Sequence, residues 1–251
     1  MKGRTAWMAG VLGLLLISAA AGKDKDRDKE KPPSGQNVDS GSFGVFMGGQ
    51  RVATETFSIV QNAGGSVIAS EFKSEQGAQK ALQSSQLKLS SAGEIIRYEW
   101  KETSPENIEA VVEPNNDYLM ERTTTNSAGK PAEQPFLLPT STSILDDYFF
   151  VQREVLLWKY LASSCRQDKG RLGCPLGQRT QFGTLNPHLR ASSPVSVQFS
   201  GSEKVTIRGV ERDLGKFELK SDSGDWIAWL DDRFKLVRIL VADENTEVVR
   251  D

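Results

Sequence analysis

Histidine and cysteine are scarce in this chain of 251 residues: there is one histidine, His188, and two cysteines, Cys165 and Cys174. A protein zinc site takes three or four such ligands, so the composition argues against a Cys/His metal centre. Phosphate-cradling glycine loops, His-Glu-x-x-His pairs and Gly-x-Ser-x-Gly elbows are also missing, and no cofactor is expected. Charge of one sign is lacking as well. With 31 basic and 33 acidic residues the net charge is −2, so no global basic field points to nucleic acid. Beyond Ile17 there is no long apolar run, so no transmembrane segment is expected in the mature chain.

What is present begins with an address. Lys2 and Arg4 precede an apolar stretch from Ala6 to Ile17, followed by the small residues Ser18 to Gly22. This is the pattern of a secretory signal peptide, placed at 1–21, with an apolar core too short to span a bilayer. It predicts an extracytoplasmic chain, periplasmic or secreted. Residues 22–39 alternate charges and end in prolines and polar residues, as a disordered tether does. Residues 40–251 then read as a single domain. In an oxidising compartment Cys165 and Cys174 are expected to pair, a local staple of roughly 2.5–3 kcal/mol in the chain-entropy account.

The domain reads as mainly β, a curved antiparallel meander. Alternating stretches flank Gly48-Gly49, a hairpin signal, and turn residues recur at Asn62 to Gly65, Ser91 to Gly93 and Pro114 to Asp117. One segment breaks the pattern. Ile144, Tyr148, Val151, Val155, Trp158 and Ala162 recur at steps of four and three, which predicts a helix over about 144–163 with Asp146-Asp147 in its first turn. Leu145, Phe149, Phe150, Leu156, Leu157 and Leu161 widen its apolar face, so the helix should be largely buried, with Arg153-Glu154 toward water. The final strands carry apolar residues on both faces: Trp226, Ala228 and Leu230 point one way, Ile227 and Trp229 the other. The helix is the expected cover for that second face.

Functional candidates are few. Tyr148, Val151, Val155, Trp158, Trp226 and Trp229 suit either an apolar groove or a filled core, since both want the same residues. Arg166, Lys169, Arg171, Arg179 and Arg190 form a basic run that suits an anion or a partner protein. His188, between two prolines, reads as surface, and Asp146-Asp147 and Asp231-Asp232 have complete accounts as helix-start and turn residues. No catalytic residue and no enzymatic activity is expected. Either the concave face binds a lipid, another apolar ligand or an envelope partner, or the groove is filled by the helix and the protein is an assembly module.

The order of parts, from "FMGGQRVATETFSI" through one helix to "WLDDRFKLVRILV", resembles uncharacterised periplasmic half-barrel families and, distantly, the Lol-type lipoprotein carriers. The resemblance implies a curved sheet embracing a helix and a role in holding an apolar chain or an envelope partner.

Overall fold

Alternating apolar residues and tight turns produce one continuous antiparallel sheet. The computed structural model describes residues 35–76, 80–125, 130–168, 171–222, 224–241 and 244–251. The signal-peptide assignment, the tether up to residue 34 and Lys169 lie outside the described residues. Pro33–Asp251 is one compact unit. The strands are β1 Gln36–Met47, β2 Gln50–Asn62, β3 Gly65–Ser74, β4 Leu82–Ser90, β5 Ile95–Ser104, β6 Ile108–Asn115, β7 Tyr118–Thr125, β8 Ala132–Phe136 and β9 Ser143–Ile144. After the helix α1, Val151–Ser164, follow β10 Arg166–Asp168, β11 Arg171–Gly173, β12 Arg179–Asn186, β13 Ala191–Ile207, β14 Val210–Ser221, β15 Gly224–Leu230, β16 Leu236–Val241 and β17 Thr246–Arg250. Because β1 starts at Gln36 and buries Asp39, the folded part begins ahead of the boundary expected at residue 40.

Fifteen strands run in the order β8-β7-β6-β5-β4-β3-β2-β1-β17-β16-β15-β14-β13-β12-β9, while β10 and β11 form a separate hairpin. The sheet is curved and open: a half-barrel, as expected. Met47 opposite Gln50 closes the first hairpin, and Gly48 and Gly49 supply the two positive φ angles, 56° and 79°, that such a two-residue turn requires. The two ends of the sheet are joined by side chains. From the β12–β13 turn, His188 stacks on Trp100 of β5 with ring centres 3.7 Å apart, and the carbonyl of Arg190 accepts a hydrogen bond from Gln134 of β8 at 3.3 Å.

The two faces are covered differently. Phe43, Ile59, Ile68, Tyr98, Val112, Leu185, Leu219 and Ile239 belong to the main core on the inner face, together with Val151, Leu156, Leu157 and Tyr160 of the helix. The helix does not cover the outer face. There Trp229, Val237 and Val249 pack against Val205, Ile207 and Leu214, which come from the overhanging tip of the β13–β14 hairpin. A bulge between Phe199 and Gly201, where Gly201 has φ 107°, marks where this tip begins. Beyond it, residues 201–207 pair only with β14, and Trp229 donates its indole N–H to Glu203 at 2.7 Å.

The helix is shorter than its apolar periodicity predicts. It runs over 151–164, and Asp146 and Asp147 lie before it. The cause is local polar competition: the Asp146 N–H bonds the Gln152 side chain at 2.6 Å, and the Asp146 and Phe149 carbonyls both accept from Arg153. Backbone groups so engaged need no helical ladder. Arg153 and Glu154, expected in water, are 1% and 0% exposed. Val151 is fully buried, whereas Tyr148, Val155 and Trp158 are half-buried, and Trp229 sits in the outer cluster rather than beside Trp226.

Candidate functional site

The site forms where the helix enters the inner face. Alternation along β2 turns Ala53, Glu55, Phe57 and Ile59 to the same buried side, so a carboxylate stands among apolar neighbours. Glu55 accepts from the backbone N–H groups of Phe150 at 2.7 Å and Val151 at 3.3 Å, and from the Ser70 hydroxyl at 2.6 Å. The helix has no side-chain cap of its own, and Glu55 takes over that office from the sheet. Burial pushes Glu55 up to about 7, against the lowering effect of these hydrogen bonds.

Two further polar clusters hold the segment around the helix start. Asp146, 0% exposed, accepts from Tyr98 at 2.8 Å and the Tyr148 N–H at 3.1 Å, and lies 2.5 Å from Nδ1 of His188. An Asp-His contact of this kind orients imidazole in acyl-transfer enzymes, but here Nε2 is buried and has no hydrogen-bond partner, so it meets no nucleophile. The pair works as a latch that fastens the β12–β13 turn to the segment before the helix. His188 therefore belongs to the interior, contrary to its reading as surface. On the far side of the helix, Glu154 lies beside Asp39, with Arg250 at 3.7 Å from Glu154 and 2.6 Å from Asp39. Burial, and then the neighbouring Asp39, raise Glu154 to about 9, so Glu154 is neutral beside the Asp39 carboxylate. Burial alone would raise Asp39, but its neighbours Glu154, Arg250 and Lys235 hold it below its ordinary value.

Two cavities flank the helix. One, of about 320 Å³, lies between its Val155, Trp158 and Ala162 side and Leu87 and Leu89 of β4, with Ile144 and Thr142 at one wall. Lys159 lines it and bonds the Ser141 carbonyl at 2.5 Å. The other, of about 280 Å³, lies between Leu145 and the strands that carry Thr184, Val195, Leu219 and Trp226. Arg153 lines this second cavity with its guanidinium carbon 3.9 Å from the Trp226 ring centre. The surface of both cavities is mostly apolar, although about half of the side chains that line them are polar.

The expected groove residues are thus divided: Val155 and Trp158 border the first cavity, Trp226 the second, and Val151 is core. The cysteines are bonded, with Cα atoms 4.3 Å apart. The basic run does not form one patch. Arg166 and Arg171 sit on the stapled β10–β11 hairpin and Arg179 begins β12, whereas Arg190 follows the other end of β12 and faces Glu121 at 3.6 Å. Sequence reasoning missed Glu55, although its inward parity in an apolar strand was the available signal. It also missed Arg153, whose position on a helix apolar around most of its circumference leaves little room for a wet charge. Among the described residues no helix is long and apolar enough to cross a membrane, and no cluster of three metal-ligating side chains is present. No protein-family model, curated protein or solved structure matches the chain.

Proposed function

We propose that this protein is a non-enzymatic, extracytoplasmic binding module that holds one apolar ligand in the cavity between the helix and β4. The observation that supports this reading is the 320 Å³ space bordered by Val155 and Trp158, on a helix whose Val151, Leu157 and Tyr160 are packed into the core. Ligand cavities run from about 300 to 1,000 Å³, so this one is at the small end and suits a single chain or ring system rather than a lipid with several chains. Lys159 at the wall gives the ligand a polar end to orient against. The indole N–H of Trp158 is occupied by the Phe234 carbonyl at 2.6 Å, which leaves the ring as an apolar wall.

Native mass spectrometry of protein purified from its own compartment tests the reading. A bound apolar molecule should be carried by the natural chain and lost in Val155→Phe, which fills the space. A clean ligand-free mass in both proteins refutes it. A second reading, an assembly module working through its surface, draws on the tightness of the helix's seat, where Glu55, Arg153 and Glu154 are all buried. Crosslinking in the native envelope should then capture a protein neighbour through residues 166–190.

A further inference from the structure

Among the described residues, Arg153 is a cation without a counter-ion at contact distance. Its side chain is 1% exposed, and its hydrogen bonds among the described residues leave from Nη1 alone, to the carbonyls of Asp146 and Phe149. Nε is buried and has no partner. The carboxylates whose fields reach it, Asp147, Asp146 and Glu55, act through space and not through a hydrogen bond. A guanidinium offers five N–H donors in a planar fork, and burying it with most of them idle is costly. The face of Trp226 offsets part of that cost through cation–π attraction, but it accepts no hydrogen bond in the guanidinium plane.

Arg153 and Trp226 line the 280 Å³ space whose apolar walls include Leu145, Val195 and Leu219, and whose exposed border carries Asp147 and Asp222. We infer that this cavity is a binding site for a small monocarboxylate with an apolar body, its carboxylate on Arg153 and its body against Trp226, Val195 and Leu219. The fork matches a carboxylate, and the low-dielectric walls strengthen the contact. The two border acids repel a second negative charge, so dicarboxylates and phosphate are excluded. This site is separate from the cavity beside Val155 and does not rest on the function proposed for that one.

The test uses the full folded protein and titrates hexanoate against hexanol by calorimetry, with succinate, phosphate and palmitate as further probes. Hexanoate should bind about tenfold or more tighter than hexanol, and succinate and phosphate should not bind. Arg153→Met should abolish the preference for the acid. Because Arg153 also holds the segment before the helix, Ser193→Phe supplies a second route: it fills the cavity from β13 without touching the cation and should lower hexanoate affinity by about tenfold or more. Val155→Phe, which fills the other cavity, should leave hexanoate binding unchanged. Equal binding of hexanol and hexanoate, full binding by Ser193→Phe, loss of binding in Val155→Phe, or binding of palmitate but not of hexanoate would each overturn the assignment.

Discussion

The inner and outer faces of the sheet solve one problem by opposite means. Both carry large apolar side chains that must leave water. The inner face is covered by a helix brought in from elsewhere in the chain, and its polar fastenings, Glu55, Arg153 and Glu154, are almost entirely buried. The outer face is covered by the sheet's own β13–β14 tip, and its polar fastenings are at the surface: Arg208 reaches Asp251, and the partly exposed Glu203 accepts from Trp229 at 2.7 Å. Buried polar groups are expensive to leave unpaired, whereas exposed pairs contribute little. The inner cover should therefore be fixed and the outer one easier to lift.

The largest expected effect is on the inner side. Leu157, fully buried between the helix and the sheet, should cost about 2–5 kcal/mol when replaced by alanine, from lost transfer energy and the cavity left behind. Denaturant unfolding measures it. A cost no greater than that of a surface substitution would show that the helix is a loose lid.

Next comes the proton that Glu154 keeps beside Asp39. In the folded chain Glu154 keeps its proton up to about pH 9, against an ordinary value of 4.5 in the unfolded one. The folded state thus binds the extra proton between those limits, so this contribution is complete below about pH 4.5 and is lost as pH rises toward 9. Glu55 and Glu121, both raised by burial to about 7, have the same sign but are exhausted above that value. Glu154→Gln keeps a neutral hydrogen-bond donor beside Asp39. Its melting temperature should match that of the natural chain at pH 5 and exceed it at pH 9, and parallel curves across that range would dismiss the raised titration of Glu154.

On the outer side the expected effects are smaller. Gly201 takes φ 107°, a conformation that side chains with a Cβ rarely adopt, and the pairing shift beside it starts the overhanging tip. Gly201→Ala should cost about 1–3 kcal/mol. Hydrogen exchange should rise first in residues 202–214, ahead of the helix; a uniform rise would mean that the tip and the core open together.

How much of this was legible follows from the range of the forces involved. Strand alternation and the glycine turn at Gly48-Gly49 are local, and they predict the meander, its first hairpin and the existence of one helix. The helix start was misplaced because side chains compete with apolar periodicity there: Gln152 and Arg153 engage the Asp146 backbone from within one stretch of sequence, while Tyr98 and His188, distant in the chain, hold its carboxylate. The second pair of contacts lies outside any window of sequence. The outer cover was missed for a related reason: the alternation over residues 204–208 resembles that of strands within the sheet, and only the sheet's pairing shows that the hairpin outruns β15. Of the candidate sites, the apolar residues on the helix were readable as a set, but which of them border a cavity depends on how β4 and β13 approach.

The smallest effect sharpens the comparison most. Arg208 sits at the turn of the outer tip, about half exposed, and its partner Asp251 is also held by Arg51 at 2.8 Å and Ser42 at 2.8 Å. Burial would raise Asp251, but hydrogen bonds from Arg51, Ser42 and Arg208 bring it down to about 2. Since two of those three partners remain in Arg208→Ala, and exposed ion pairs are worth about 0–1 kcal/mol, global stability should fall by no more than that. The local consequence differs from the global one. With its distal fastening gone, the tip depends on Val205, Ile207 and Leu214 and on the Trp229–Glu203 hydrogen bond nearer the sheet, so exchange in residues 202–214 should accelerate while that of the helix is unchanged. Raised salt should produce the same local opening in the natural chain, because it screens the exposed pairs of the outer face and leaves the buried ones of the inner face intact. If salt instead loosens the helix as readily as the tip, the two covers are fastened alike, and the contrast between buried and surface fastenings fails.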